Sequence, residues 1–182
     1  MIFALLTLSI GIHSGESAES RPSFEQPILI TSAGQSADVQ IAGVLAKRAG
    51  LSSRLSKNAT YQELGEAKTL VLVIGVSMKG LGAAGLDLDQ EKTRVMELIT
   101  ETQKRDIPIL WLNLRGVRRR GALSGHVIQA FLPYAQMAIV VKSGNKDGLF
   151  TKICSDQKIP LLEVDRTADV QEPLKSMFAP KG

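Results

Sequence analysis

The sequence predicts an α/β domain: a three-layer sandwich with a mostly parallel sheet of five or six strands, in a flavodoxin-like or Rossmann-like arrangement. Three observations predict it. Short, continuously apolar runs rich in Val, Ile and Leu recur, as in TLVLVIGV (69–76) and IPILWLNL (107–114). Strands of that kind are covered on both faces, as in a parallel sheet. Stretches with helical spacing of apolar residues lie between these runs, and strands alternating with helices build crossovers over both sheet faces. No fixed-period repeat, low-complexity linker or composition shift divides the 182 residues, a length somewhat above the common domain size of about 100–150 residues.

The elements follow in order. Residues 27–31 read as a buried strand. Ser36 can cap a helix whose apolar face holds Val39, Ile41, Ala42, Val44, Leu45 and Ala49, and Gly50 stops it. Residues 53–56 form a short edge strand, and Thr60 to Glu63 carries the spacing of a capping box. The run 69–76 is the central strand. The glycine-rich SMKGLGAAGLDLD that follows reads as a long loop, after which Asp89 caps a helix with Val95, Leu98, Ile99 and Thr102 on one face. The run 107–114 is the next strand. Ser124 caps a helix bearing Val127, Ile128, Phe131 and Leu132; residues 137–141 form another strand; Asp147 caps a short helix with Leu149, Phe150 and Ile153. Residues 159–164 form the last strand and 169–178 a closing helix, with Pro173 near its first turn.

Composition removes several function classes. Hydrophobic residues at 44% and charged residues at 22% exclude global disorder. A single cysteine, Cys154, excludes an internal disulfide framework and a multi-cysteine zinc site. The two histidines, His13 and His126, are too few for most imidazole-based catalysis or ligation, so no metal is expected. No G-x-G-x-x-G fingerprint and no Gly-Lys-Ser/Thr P-loop occurs, which disfavours a dinucleotide or a nucleoside triphosphate, and no cofactor is expected. Residues 1–20 hold Glu16 and Glu19 and no base, so the remainder carries 18 − 2 acids against 22 bases. That modest basic excess suits an anionic partner. It does not suit nucleic acid, because no dense basic stretch is interleaved with aromatics, which make up 4% of the chain.

The opening MIFALLTLSIGI has the length of a signal-peptide apolar region and is short of the roughly 20 residues of a membrane-spanning helix. Ala18-Glu19-Ser20 fits a small-x-small cleavage site. The expectation is a leader over 1–20, a single α/β domain over 21–182, a periplasmic or secreted location and no stable membrane span. The basic stretch that usually opens a leader is missing; if the segment is instead a buried element, the location is cytoplasmic.

Ligands of such folds bind beyond the carboxyl ends of the strands, and four strand-to-helix segments carry candidate site residues. After the first strand come Ser32, Gly34, Gln35 and Ser36, small residues and side-chain donors at a helix start. After the central strand come Ser77, Lys79 and Gly80 in a run with four glycines. After the next strand come Arg115, Arg118, Arg119 and Arg120, four guanidiniums able to grip a carboxylate or phosphate, with His126 following as a helix-surface residue. The fourth segment holds Lys142, Ser143, Asn145 and Lys146.

The strings TSAGQSADV, KGLGAAGLDLD, RRGALS and VVKSGNKDGLFTK resemble those of an uncharacterised family of small, often exported bacterial α/β proteins, over residues 27–178. The resemblance implies export and one domain, and it implies no activity.

The loops are rich in hydrogen-bond donors and poor in general acids, bases and metal ligands, which points to a binding protein for a small anionic or polyhydroxyl ligand. Two other readings stay open. One is a hydrolase or transferase acting on a phosphorylated or carboxylated small molecule, with Ser77 as nucleophile or donor and Lys79 or His126 assisting. The other is an accessory protein of a transporter; a homo-oligomer is compatible with any of the three.

Overall fold

The structure, a computed structural model, describes residues 24–178; the expected leader lies outside the described residues, as do the side chains of Arg118 and Arg119. Six strands, β1 (Ile28–Ala33), β2 (Ser53–Leu55), β3 (Thr69–Ile74), β4 (Ile109–Asn113), β5 (Met137–Val141) and β6 (Leu161–Val164), form one sheet in the order β2-β1-β3-β4-β5-β6. Every neighbouring pair is parallel. This is the flavodoxin-like order extended by one strand. The helices are α1 (Asp38–Arg48), α2 (Met78–Ala83), α3 (Leu88–Lys104), α4 (Val117–Phe131), α5 (Leu149–Gln157) and α6 (Gln171–Met177).

Strand alternation sorts the core into two halves. Ile28, Ile30, Val71, Val73, Leu110 and Leu112 point to one face, where α1 and α6 cover them with Val39, Leu45, Leu174 and Met177. Leu29, Leu70, Leu72, Ile74, Ile109 and Trp111 point to the other, against Val95, Leu98 and Ile99 of α3, Val127 and Phe131 of α4 and Phe150 of α5. β1, β3, β4 and β5 are buried throughout. This is why their sequences are apolar without alternation: each residue meets one helical layer or the other.

Several elements differ from the sequence-based expectation, for local reasons. The glycine-rich segment after β3 is not a loop throughout, because Ser77 caps α2 by accepting from the Gly80 N–H at 3.0 Å. Asp87, not Asp89, caps α3: Asp87 accepts from Gln90 N at 2.8 Å and Gln90 Oε1 accepts from Asp87 N at 2.9 Å. Ser124 is no cap. Helix α4 already starts at Val117 and is broken at Gly121, whose φ of 64° only glycine adopts without strain.

Candidate functional site

Chain direction creates the crevice. From β1 the chain crosses to β2 on one side, and from β3 it crosses to β4 on the other. The loops above β1 and β3 therefore diverge and leave a gap at the strand ends, the usual ligand position in open α/β sheets. Below that gap the two loops are stitched together. Gly75 N donates to Ala33 O at 3.1 Å, Ser77 N to Gly34 O at 2.8 Å, and Gln35 pairs with Val76 across an isolated bridge. Val76 N donates to the buried Ser124 hydroxyl of α4 at 3.0 Å. Gly34 has φ +110°, and a Cβ there would lie 2.7 Å from Gly75 O, so this approach requires glycine.

The resulting cleft has a volume of about 270 Å³. Ser36, Ala37 and Asp38 wall one side, Gly75, Val76 and Ser77 a second, and Asn113, Arg115 and Arg120 a third. Its charged centre is an ion pair between Arg115 Nε and Asp38 Oδ1. Asp38 is 2% exposed, so the pair spans from a buried carboxylate at the start of α1 to a guanidinium at the cleft. Asn113, also buried, ends β4 and donates from Nδ2 to Arg115 O at 3.2 Å. Ser36 Oγ accepts from Asp38 N at 3.2 Å. Arg120 reaches back from α4 to Asp147 and to Gly144 O (3.0 Å), and its guanidinium lies 5.8 Å from the Phe150 ring centroid. The Arg120 hydrogen bond holds the Asp147 carboxyl below its ordinary range. Among the described residues no group of three or more potential metal ligands clusters anywhere.

The residues expected from sequence divide sharply. Ser36, Ser77 and Arg120 line the cleft. Gly34 and Gly80 serve backbone packing: a Cβ on Gly80 would run into Gln35 O. Three expected ligand side chains do not line the cleft. Ser32 is inside β1, paired with Val73 and fully buried, because β1 runs two residues past Thr31. Gln35, in a left-handed conformation with φ 61°, turns inward and donates from Nε2 to Glu91 Oε2 at 3.0 Å. Asn145 is tied to the start of α5: its Oδ1 accepts from Phe150 N at 2.9 Å, and its Nδ2 donates to Thr151 Oγ1 and Glu163 Oε1, while Asp147 Oδ1 accepts from Leu149 N at 3.4 Å. Lys79, Ser143 and Lys146 are exposed and do not line the cleft. Lys142 is also at the surface, paired with Asp165 at 2.7 Å. Arg118 and Arg119 fall in the first turn of α4. His126 is on the surface of α4 and exposed, where a partly buried position was expected.

Asp38 is the cleft residue that sequence reasoning passed over. An acid in the first turn of a helix reads as an ordinary complement to the helix dipole. Its contact with Arg115, 77 positions away, leaves no local trace.

A larger groove of about 660 Å³ runs along α3 and the end of α4, bordered by Tyr61, Met96, Thr100 and Phe131. It is open, lies away from the strand ends and has charged residues such as Lys92 and Glu101 along its margin. The smaller cleft is the better candidate because buried polar groups from three elements converge in it. Cys154 belongs to the α5 packing face, and burial pushes its thiol up to about 11, which makes it an inert core residue.

A family model described as a domain of unknown function, DUF6305, matches residues 25–178. No curated protein matches the chain. Among solved structures, the chain is similar to AlinE4, an SGNH-hydrolase family esterase, at 12% identity and a TM-score of 0.31, covering 88% of this chain and 85% of that one. Two mutants of that esterase are similar at 13% and 14% identity, with TM-scores of 0.31 and 0.32 and the same coverage. The family match spans most of the chain, and the chain belongs to the DUF6305 family.

Proposed function

We propose that this DUF6305 member is an exported binding protein for one small, strongly polar ligand, anionic or polyhydroxyl, held at the carboxyl ends of β1, β3 and β4. One observation carries the reading: at the switch point, a cleft of about 270 Å³ is walled by two serines, an amide and a buried carboxylate–guanidinium pair. Its volume falls just under the 300–1,000 Å³ of drug-sized sites, which suits a ligand of one ring or a short chain. The hydrolase or transferase alternative receives less support. Among the described cleft residues the sole carboxylate, Asp38, is paired with Arg115, and no imidazole lines the cleft.

The test is a thermal-shift and calorimetric screen of neutral monosaccharides, polyols, hydroxy acids and sugar phosphates. A ligand at 100 times its Kd adds about 2.7 kcal/mol, which at about 2–4 °C per kcal/mol raises Tm by about 5–11 °C. Ala37 is exposed at the cleft wall, so Ala37→Trp fills the cleft without touching the core. The expected result is binding by the natural chain and none by Ala37→Trp at an unchanged Tm. Failure of every compound, or binding that survives Ala37→Trp, would refute the proposal. Export is tested separately by the mass of the protein recovered from cells. A mature chain starting at Arg21 supports it, and one retaining residues 1–20 refutes it.

A further inference from the structure

We infer that the ligand of this cleft is an electrically neutral polyhydroxyl compound of monosaccharide size rather than an anion, an inference that rests on the binding reading above. The two guanidiniums that line the cleft among the described residues are committed to carboxylates. Arg115 holds Asp38, and Arg120 holds Asp147 together with the Gly144 carbonyl. An incoming anion would have to take Arg115 from Asp38, whose side chain is only 3% exposed. That would leave a desolvated carboxylate uncompensated inside the protein. Taking Arg120 instead would bring the anion toward Asp38 across a small cleft, where like charges repel strongly because little water screens them.

The same groups suit hydroxyls. A Cβ placed on Gly75 would lie 3.0 Å from Ser36 Oγ and 3.7 Å from Asp38 Oδ2, so the hydroxyl and the second carboxylate oxygen stand side by side at the cleft wall. Asn113, Ser77 and Arg115 supply donors from the other walls. A sugar hydroxyl both donates and accepts, so adjacent hydroxyls use an acceptor such as Asp38 and a donor such as Arg115 together without dismantling the pair. A carboxylate or phosphate only accepts, and it leaves the Asp38 side of the cleft unmatched.

The experiment is calorimetry on the purified chain with matched pairs: each neutral monosaccharide of a panel against its own uronic acid and its own sugar phosphate, at pH 7. The expected result is that some neutral sugar binds at least ten-fold more tightly than both of its acidic counterparts. Its Kd should stay constant from 50 to 500 mM NaCl, a measurement that needs no variant. Asp38→Asn should narrow the ten-fold gap by relieving the repulsion. An acidic member binding as tightly as its neutral partner or more so, or a gap under ten-fold, overturns the inference and leaves the binding reading standing. If neither member of any pair binds, the inference fails, and the binding reading fails with it only when the polyols and hydroxy acids of the wider screen fail too.

Discussion

The buried pair Glu91–Arg94 on α3 should be among the costliest positions to disturb, although neither residue lines the cleft. Glu91 is 1% exposed and fully engaged. Its Oε1 accepts from Gly34 N at 2.8 Å and Arg94 Nη2 at 2.7 Å, and its Oε2 accepts from Gln35 Nε2 at 3.0 Å and Arg94 Nε at 2.8 Å. Arg94 also donates to Ser32 O at 2.6 Å and Ala59 O at 2.5 Å. Arg94→Met keeps an unbranched side chain of similar reach and removes the charge. It leaves Glu91 buried beside two neutral donors, and an uncompensated buried charge costs about 3–5 kcal/mol. At about 2–4 °C per kcal/mol for a domain of this size, Tm should fall by about 6–20 °C in a circular-dichroism melt. Glu91→Met should cost a similar amount, because it strands the guanidinium. The double variant removes both charges, so it should be more stable than the summed single effects by about 1–3 kcal/mol, the coupling of residues in one network. An Arg94→Met melt within about 2 °C of the parent, or strict additivity in the double variant, would refute the reasoning.

Two further predictions concern residues behind the cleft. Cys154 has its thiol raised by burial to about 11, above the ordinary 9.0, so the unfolded chain releases this proton first as pH rises. Its contribution is fully present below pH 9 and is lost through pH 11, at about 1.4 kcal/mol per pH unit. Guanidinium titrations from pH 8 to 11 should show that slope and Cys154→Ala should lack it, while rapid reaction of the native thiol with a disulfide reagent at pH 8 would contradict the burial argument. Asn145→Ala removes the acceptor for Phe150 N and Thr151 N at the start of α5, which should cost about 1–2 kcal/mol, or about 2–8 °C in Tm, with ligand affinity unchanged. A variant that kept its Tm and lost binding would show that Asn145 serves the ligand instead.

The fold was legible in sequence wherever burial decides residue type. Residues of β3, β4 and β5 face a helical layer on both sides, so their runs can only be apolar, and their positions follow within a few residues. Legibility failed where a single side-chain-to-backbone bond outweighs propensity. The glycines of Met78–Ala83 favour a loop, yet Ser77 capping and the tight seat of Gly80 under Gln35 O set a helical turn there. Asp87 and Asp89 are both acids near a helix start, and only the reciprocal bond with Gln90 selects Asp87.

The site was harder to read for a different reason: a loop sequence shows which polar groups exist, and only the fold shows which of them are already satisfied. Ser36 and Ser77 keep a place at the cleft, whereas Gln35, a neighbour of equal polarity, is turned inward by a carboxylate 56 positions away. The arginine run gave an impression of surplus positive charge at the strand ends. Asp38 and Asp147 arrive from α1 and from the loop after β5 to match Arg115 and Arg120, and neither contact has a local signature. A cluster of like charges in sequence therefore says little about the field in a cleft until its counter-charges are located. Among the described residues, locating them makes both cleft guanidiniums, Arg115 and Arg120, members of ion pairs, with donors and acceptors on facing walls.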